Sequence, residues 1–350
     1  MKSPFFTGLI CTAALCAATV SDACTRIVYH GANDRNLTAR SMDWRQEIVS
    51  NLWVFPRGMK RNGAAGPRSV DWTARYGSLA VSGYDISTVD GMNEAGLVTN
   101  LQWLVNAQYP EDDGKTPRIS VSVWAQYFLD QFATVAEAVE HARNTPLHAA
   151  TGEVPGQPGR LTTVHLSLSD ASGDSAILEW IDGKLRIHHN RAYQVMTNDP
   201  PFDQQLAVTS YWKSVPSTSF LPGTSRAEDR FARSSFLINA IPKTDDPRVA
   251  AAAVFSVIRN VSAPWGISIG DQPNLSMTRW RVVADQKDKT YFFESVYSPN
   301  IFWVDLKKLN FQPGAGVRKL DLGENQRNIM SGETSGRFVK TQPFVFEPAV

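Results

Sequence analysis

The sequence predicts an α+β fold in which two antiparallel sheets pack face to face and helices cover their outer sides. Short apolar or alternating runs bounded by turn residues recur in residues 24–104 and again in residues 164–189, as in antiparallel strands. A pair of helical patterns follows each group of strands, and layers of this kind stack around a shared core. The 350 residues are 43% hydrophobic, which is ample for such a core.

The first sheet and its helices are predicted within residues 24–144. Strands are predicted at Cys24–Tyr29, Leu37–Met42, Leu52–Phe55 and Ser78–Ser82, with a further pair around residues 90–97. A buried helix is expected at Val121–Phe132, and the capping box from Thr134 to Glu137 opens a second helix that ends near Asn144. The stretch Gly152–Arg160 is rich in Gly and Pro and is predicted to be a loop.

The second half of the chain repeats this order of strands and helices. Strands are predicted at Val164–Leu168, Ser175–Trp180 and Lys184–His189, helices at Ser225–Ile241 and Pro247–Val261, and a hairpin from Trp280–Ala284 and Tyr291–Ser295. The segment after about residue 320 is polar. Residues 24–350 are therefore expected to form a single domain.

The first 23 residues have the pattern of a signal peptide. Lys2 precedes an apolar stretch from Phe5 to Val20, and Ser21-Asp22-Ala23 supplies small residues at the positions that signal peptidase reads. Cleavage between Ala23 and Cys24 would export the mature chain to the periplasm or beyond the cell. No later run has about 18 uninterrupted apolar residues, so no stable membrane insertion is expected.

The charge balance points away from polyanionic partners. Lys and Arg number 35 against 34 Asp and Glu, a formal net charge of +1. A chain without a basic excess has no long-range field to recruit nucleic acid or an acidic membrane surface. The expected partner is a small molecule that is recognised locally.

Cysteine usage singles out one residue. Of Cys11, Cys16 and Cys24, the first two lie inside the predicted leader, so the mature chain keeps a single thiol at its first position. A free N-terminal cysteine carries a nucleophile together with an α-amine whose pKa near 8 suits it as a base. The alternative is a lipid-anchored, non-catalytic binding protein that uses the same cysteine for attachment, although Asp22 suits that pathway poorly.

Arg40 and Asp43 follow Cys24 by sixteen and nineteen positions. If they lie on a strand paired with the one that begins at Cys24, both charges can reach the N-terminus. Arg40 would then favour the thiolate, and Asp43 would hold the amine by a charge-assisted hydrogen bond. A solvated ion pair on a sheet surface explains the same spacing.

Five ordered blocks carry a family resemblance. They are Cys24-Thr25, Arg40-Ser41-Met42-Asp43-Trp44, residues 90–97 (DGMNEAGL), Thr197-Asn198-Asp199-Pro200 and Asp229-Arg230-Phe231. With these blocks the sequence resembles the choloylglycine hydrolases, the family of bile salt hydrolases and penicillin V acylases. The resemblance implies the four-layered αββα sandwich of N-terminal-nucleophile hydrolases, usually a homotetramer, with no cofactor and no metal.

The resemblance also assigns roles to five residues. Cys24 is similar to the family nucleophile, Arg40 to the arginine beside the sulfur, and Asp43 to the carboxylate that orients the amine. Asn198 matches the asparagine whose amide helps to form the oxyanion hole, and Arg230 matches a second active-site arginine. A fixed amide donor stabilises the negative charge that acyl transfer builds on the carbonyl oxygen. Without the family pattern, Asn198 is equally explained as a turn residue before two prolines.

One stretch departs from the bile salt hydrolase pattern. Leu101-Gln102-Trp103 occupies roughly the place of a second family asparagine. Gln102 or a backbone amide would then supply the second oxyanion donor. The gain of Trp103 resembles the penicillin V acylase branch of Gram-negative bacteria. Trp44 and Trp103 would form an aromatic clamp around an acyl group, with core packing as the equal alternative.

Taken together, the residues and the resemblance predict a secreted amidase that acts through a thioester on Cys24. The favoured substrates are penicillin V and long-chain N-acyl-homoserine lactones, and conjugated bile salts are the alternative. His188-His189 is not predicted to bind a metal, because adjacent residues on a strand point to opposite faces.

Overall fold

A computed structural model describes residues 24–215, 221–267 and 276–350. The predicted signal peptide, residues 1–23, lies outside the described residues. None of the helices in the described part of the chain combines the length and the apolar character needed to cross a bilayer.

The structure is built mainly from strands. In chain order they are β1 (Thr25–His30), β2 (Asn36–Trp44), β3 (Leu52–Phe55), β4 (Lys60–Asn62), β5 (Asp71–Thr73), β6 (Ser78–Gly83), β7 (Ser87–Asn93), β8 (Val98–Trp103), β9 (Arg118–Ser120), β10 (His148–Ala150), β11 (Glu153–Val154), β12 (Gln157–Leu161), β13 (Val164–Ser169), β14 (Ser175–Ile181), β15 (Lys184–His189), β16 (Val195–Thr197), β17 (Met277–Asp285), β18 (Thr290–Ser295), β19 (Ile301–Asp305), β20 (Arg318–Leu320), β21 (Gly332–Glu333) and β22 (Val339–Lys340).

The helices of the described residues are α1 (Val121–Gln131), α2 (Val135–Asn144), α3 (Phe202–Ser214), α4 (Ala227–Ala240) and α5 (Pro247–Asn260). Side chains fix several of their starts. The Thr134 side chain accepts from Glu137 N–H at the start of α2, and the reciprocal bond completes the predicted capping box. Asp246 caps α5 by accepting from two backbone N–H groups, with Pro247 in the first turn.

Two large sheets carry the fold. One has seven strands in the order β16-β1-β2-β17-β18-β19-β21, and the other has nine in the order β15-β14-β13-β8-β7-β6-β3-β20-β22. Neighbouring strands run antiparallel except at β19 and β21, which are parallel. The predicted pair of antiparallel sheets is thus confirmed, with one parallel pair at an edge.

The two sheets face each other across the core, and helices cover both outer sides. Met42, Trp280 and Phe293 of the seven-stranded sheet pack against Leu79 and Met92 of the nine-stranded sheet. Helices α1 and α2 lie on the nine-stranded sheet, whereas α4 and α5 lie on the seven-stranded sheet. The four-layered αββα arrangement expected from the family resemblance is confirmed.

Two sequence predictions need correction. The stretch Gly152–Arg160 is not a loop but belongs to a hairpin of β11 and β12, whose turn holds Pro155 and Gly156, with a φ of 73° at Gly156. Pro followed by a positive-φ Gly is turn chemistry that joins two strands. Helix α3 was not predicted, because two of its three buried positions are the polar residues Gln205 and Thr209.

The polar segment after about residue 320 packs against its own chain. β20 pairs with β3 at the edge of the nine-stranded sheet, and β22 pairs with β20. Phe344 then packs against Trp53 and Phe55, with ring centroids 5.1 Å and 5.8 Å away. The segment therefore closes one end of that sheet.

Candidate active site

Strand pairing puts Cys24 between two other parts of the chain. Thr25, the next residue, lies opposite Ser41 of β2 and Thr197 of β16. Antiparallel register places the residue before Thr25 beside Met42 on one side and beside Asn198 on the other. Three of the five sequence blocks meet at this point.

The Cys24 sulfur lies beside a buried guanidinium. Cys24 Sγ is 3.7 Å from Arg40 Nη2, 3.9 Å from Met42 Sδ and 3.7 Å from the Asp43 carbonyl oxygen. Burial raises the pKa of the Cys24 thiol, and the Arg40 charge is the largest influence that lowers it. The arrangement keeps a neutral thiol at rest and stabilises the thiolate when it forms.

Arg40 is itself held from several directions. Its Nη2 donates to the Leu101 carbonyl at 2.8 Å and its Nη1 to the Val89 carbonyl at 3.4 Å. The Asp90 carboxylate lies 3.6 Å from Nη1, and the guanidinium carbon lies 4.8 Å from the centre of the Trp280 ring. The charge beside the sulfur is therefore fixed in place.

The Cys24 nitrogen faces a second set of partners. Cys24 N–H donates to Asn198 Oδ1, which also accepts from Arg230 Nη2 at 3.1 Å. Asn198 Nδ2 donates to the Trp103 carbonyl at 2.9 Å. Because an amide NH₂ has two hydrogens, one Asn198 N–H remains for another acceptor.

Arg230 comes from helix α4, which packs on β1 and β16. Its Nη1 donates to the Cys24 carbonyl oxygen and to Thr25 Oγ1, and its Nε donates to the Ser225 carbonyl at 2.9 Å. Arg230 thus fixes both the backbone of Cys24 and the side chain of Asn198. Burial lowers the pKa of this guanidinium.

Asp43 lies on the opposite face of β2 from Arg40. Its carboxylate accepts from Thr278 Oγ1 at 2.5 Å and from Ser41 Oγ at 3.3 Å. Burial raises the pKa of Asp43 to about 6, and the Arg230 charge is the largest influence against that rise. The carboxylate was expected to hold the Cys24 nitrogen, and the hydrogen bond that the structure gives to that nitrogen goes to Asn198 instead.

A cavity opens beside Cys24 and Arg40, with an interior volume of about 110 Å³. Its walls are mostly apolar and include Ile48, Val89, Leu101, Val121, Val154 and Val164. A narrow apolar cleft of this kind suits part of a small molecule rather than a polymer. The sulfur therefore faces a pocket that favours an apolar group.

Trp44 and Trp103 both line this cavity. Their ring centroids are 5.6 Å apart with planes tilted by 53°, and both side chains are buried. Trp44 Nε1 donates to Tyr84 Oη at 2.7 Å, and the Arg160 guanidinium lies 4.4 Å from the Trp103 ring centre. The two tryptophans serve both as core residues and as cavity wall.

Gln102 is not among the cavity-lining residues. It is 1% exposed on β8, and neither its Oε1 nor its Nε2 has a hydrogen-bond partner within the described residues. A buried amide without partners is costly. The structure does not bring this side chain to the cavity wall, in contrast to Trp103 beside it.

Sequence reasoning missed several residues that build the site. Thr278 reaches Asp43 only because β17 pairs with β2, and Asp90 reaches Arg40 across the two sheets. Arg160 lies on a hairpin that was predicted to be a loop. The Pro155-Gly156 turn signal could have revealed that hairpin, whereas the cross-sheet contacts have no local signal.

Comparison with known proteins places this geometry in a family. Residues 24–325 match the model of the linear amide C–N hydrolases, choloylglycine hydrolase family, and the match begins at Cys24. The chain is 50% identical over 363 residues to a penicillin V acylase of Pectobacterium atrosepticum, covering 96% of each protein. It is 25% identical over 316 residues to a bile salt hydrolase/transferase of Clostridium perfringens, covering 82% of this chain and 93% of the relative.

Solved structures give the same relationship. The penicillin V acylase from Agrobacterium tumefaciens superposes with a TM-score of 0.86 at 57% identity, over 93% of this chain and 99% of that one. A conjugated bile acid hydrolase from Clostridium perfringens shares the fold with a TM-score of 0.73 at 22% identity, over 86% of this chain and 97% of that one. The chain therefore belongs to the choloylglycine hydrolase family and is an amide-bond hydrolase that resembles penicillin V acylases.

Proposed function

We propose that the mature protein is an exported amidase that begins at Cys24 and cleaves N-acylated small molecules through a thioester on that residue. The observation that carries the proposal is the position of Cys24 Sγ, 3.7 Å from Arg40 Nη2 and beside the apolar cavity. A nucleophile beside a fixed positive charge and an acyl-sized pocket is what acyl transfer requires.

Removal of the leader supplies the base. In the 350-residue chain the Cys24 nitrogen belongs to a peptide bond, whereas cleavage after Ala23 turns it into an α-amine with a pKa near 8. Asn198 Oδ1 accepts from this nitrogen, and Arg230 fixes both Asn198 and the Cys24 carbonyl oxygen, so the two residues would orient the amine for proton transfer. Asp43 would pair with the ammonium form once it exists.

The reaction then proceeds in two balanced steps. The α-amine takes the thiol proton as Sγ bonds to the acyl carbon, and the resulting ammonium protonates the leaving amine as the C–N bond breaks. Water, deprotonated by the same α-amine, attacks the thioester. The C–S bond then breaks, the acid is released, and the α-ammonium returns its proton to the sulfur. The remaining Asn198 N–H and a backbone amide as second donor would stabilise the oxyanion in both steps, since the Gln102 side chain does not reach the cavity.

The cavity favours flat or extended acyl groups. Trp44 and Trp103 would sandwich a phenoxy ring or flank a methylene chain, since each buried Å² of apolar area is worth about 25 cal/mol. A rigid steroid would be crowded by the pair. We therefore propose penicillin V and long-chain N-acyl-homoserine lactones as substrates ahead of conjugated bile salts, and a quorum-quenching role follows if the lactones are cleaved.

The test compares the precursor and the mature enzyme on three substrate classes. We expect amine release from phenoxyacetyl and long-chain acyl amides to exceed that from glycine- or taurine-conjugated bile salts in kcat/KM. An intact precursor, verified by mass to retain its leader, should be inactive. Turnover by that precursor at the mature rate would contradict the proposed base, and a preference for bile salts would contradict the substrate.

The mass of the mature N-terminus tests the remaining alternative. A free cysteine with an unmodified amine supports the amidase, whereas an acylated cysteine would indicate the lipid-anchored binding protein. Fractionation of producing cells tests export to the periplasm or beyond. Light scattering of the purified protein tests the homotetramer that the family resemblance implies.

A further inference from the structure

The last residues of the sequence return to the cavity. Glu347 is among its lining residues, and its backbone N–H donates to the Ile86 carbonyl at 3.0 Å. The Glu347 carbonyl accepts from Ser120 Oγ at 2.9 Å and from Ser122 Oγ at 2.7 Å. Both serines lie at the start of α1 and also line the cavity. Glu347 is therefore tied on both sides to the cavity wall.

The residues around Glu347 are fixed as well. Ala349 N–H donates to the Ala64 carbonyl at 2.8 Å, and Val350 N–H donates to the Thr151 carbonyl at 2.9 Å. On the other side, the Phe346 ring lies 4.8 Å from Phe344. Backbone hydrogen bonds at one end and aromatic packing at the other hold the 344–350 segment against the domain.

Gly152 allows the 344–350 segment to lie close to its backbone. A Cβ on Gly152 would lie 2.9 Å from the Pro348 carbonyl oxygen and 3.7 Å from Glu347 Cγ. The glycine does not have a positive φ, so its lack of a side chain serves the close approach rather than the backbone conformation. A methyl group here would push the segment away from the cavity.

Glu347 contacts the part of the cavity that lies away from Cys24. Arg40, which touches the sulfur, also contacts the Val89 carbonyl, whereas Glu347 bonds to Ile86, three residues earlier along the same stretch. At about 3.3 Å per residue this separation is about 10 Å. The 344–350 segment also lies beyond residue 325, where the family match ends.

We propose that residues 344–350 form the distal wall of the acyl cavity and that Glu347 sets the longest apolar chain the enzyme accepts. The proposal rests on the acyl-amide hydrolysis proposed above. Glu347 Cγ lies close to Gly152, and both residues line the cavity, so an acyl chain that reaches this end meets the Glu347 side chain. Such a chain displaces water from the carboxylate without giving it a hydrogen bond, which is unfavourable. Shorter chains stay within the apolar part of the cavity and escape that cost.

The experiment uses the mature enzyme and a series of acyl amides that share one amine and differ in chain length from four to sixteen carbons. Variants are Glu347→Leu, Gly152→Ala and a chain that ends at Gln342. Exposed Glu140 on α2 gives the control Glu140→Leu, and Gly336, with open space around its Cα, gives the control Gly336→Ala. Protection of Cys24 from alkylation by free fatty acids measures binding separately from turnover.

We expect Glu347→Leu to move the optimum to longer chains and to raise the long-to-short ratio of kcat/KM about fourfold or more, as one additional buried methylene would. The change should lie mainly in KM. The shortened chain and Gly152→Ala should raise the same ratio, and both control variants should match wild type. The fatty-acid chain length that best protects Cys24 from alkylation should increase in Glu347→Leu, in Gly152→Ala and in the shortened chain. It should stay unchanged in both control variants.

Failure of the proposed function and failure of the distal-wall proposal would give different results. A wild type that cleaves none of the series, and that fatty acids do not protect, would contradict the proposed function. A wild type that shows a length limit which Glu347→Leu and Gly152→Ala both leave unchanged would overturn the distal-wall proposal alone. If the shortened chain does not fold, the two point variants still decide the question.

Discussion

The two sides of Cys24 differ in what surrounds them. On the sulfur side, Arg40 is the fixed charge, and beyond it Trp44 and Trp103 border an open apolar cavity. On the nitrogen side, Asn198 and Arg230 form a closed, fully buried set of hydrogen bonds. The sulfur side therefore has room for ligands of different shape, whereas the nitrogen side holds one fixed hydrogen-bond geometry.

This difference between the two sides follows from the alternating side-chain directions along β2. Arg40, Met42 and Trp44 point toward the cavity, whereas Ser41 and Asp43 point to the other face, where Asp43 accepts from both Ser41 and Thr278. In the proposed mechanism, the even positions of this strand border the cavity, and Asp43, at an odd position, takes part in proton transfer. Substitutions on the nitrogen side should alter kcat, and substitutions on the sulfur side beyond Arg40 should alter KM.

The largest effect is expected where the two sides meet. Cys24→Ala should abolish measurable turnover, because the thiol is the proposed nucleophile of both steps. The fold should persist, since the substitution removes one sulfur atom at the end of a strand. Mass spectrometry of the trapped acyl-enzyme in wild type, and its absence in Cys24→Ala, checks the assignment. Residual turnover, or an acyl-enzyme on another residue of the variant, would place the nucleophile elsewhere.

The next effect tests the nitrogen side. Asn198→Ala should lower kcat by about 10²–10³, the loss typical of an oxyanion donor. Asn198→Asp keeps the acceptor for Cys24 N–H and removes the amide donor, so it separates the two roles. Similar losses in both variants would identify the donor as the important group. A wild-type rate in Asn198→Ala would remove this residue from the mechanism.

A pH profile separates the carboxylates of the two sides. Burial raises the pKa of Asp43 and of Asp90 to about 6, and of the two only Asp43 is proposed to pair with the α-ammonium group. Protonation of the α-amine, with a pKa near 8, already lowers kcat/KM on the acid side, and loss of the Asp43 charge should steepen that fall below about pH 6. We expect Asp43→Asn to lower kcat at neutral pH and to flatten this acid limb, whereas Asp90→Asn should leave the limb in place.

Loss of activity near pH 6 should not reflect unfolding. A carboxyl whose pKa is higher in the folded chain than in the unfolded chain binds its proton more tightly when folded. Its protonation therefore stabilises the fold as pH falls toward 6. Thermal unfolding at pH 5.5 and pH 7.5 provides the control, and a sharp drop in Tm at the lower pH would assign the acid limb to denaturation.

The smallest effect is expected at the cavity wall. Trp44→Phe and Trp103→Phe should raise KM for phenoxyacetyl and long-chain acyl amides roughly tenfold, which corresponds to about 1.4 kcal/mol, and leave kcat within a few-fold. Trp72→Phe is the matched control, because Trp72 is buried against Tyr127 of α1 and does not line the cavity. Losses confined to kcat would assign both tryptophans to the nitrogen side instead.

Local sequence signals predicted much of the fold. The strands Leu52–Phe55 and Lys184–His189 have the predicted bounds, and the capping box at Thr134 forms as expected. These elements depend on short-range patterns of apolar and capping residues. Helix α3 escaped prediction because Gln205 and Thr209 make its buried face polar.

The candidate site was predictable only where a family pattern exists. Cys24, Arg40, Asn198 and Arg230, which the resemblance singled out, lie close together in the structure, and their roles stay predictions. Thr278, which holds the Asp43 carboxylate, lies 235 positions further along the chain and meets it through strand register. Spacing along one sequence carries no information about such a pairing.

The enclosure of Arg40 has a consequence for the surroundings in which the protein can work. Dissolved ions weaken attraction between exposed charges, but they screen buried charges far less. Arg40 and Asp90 are both fully buried, and an aromatic ring covers the guanidinium. The stabilisation of a Cys24 thiolate by Arg40 should therefore be nearly independent of ionic strength, so activity should be similar in dilute and in saline media.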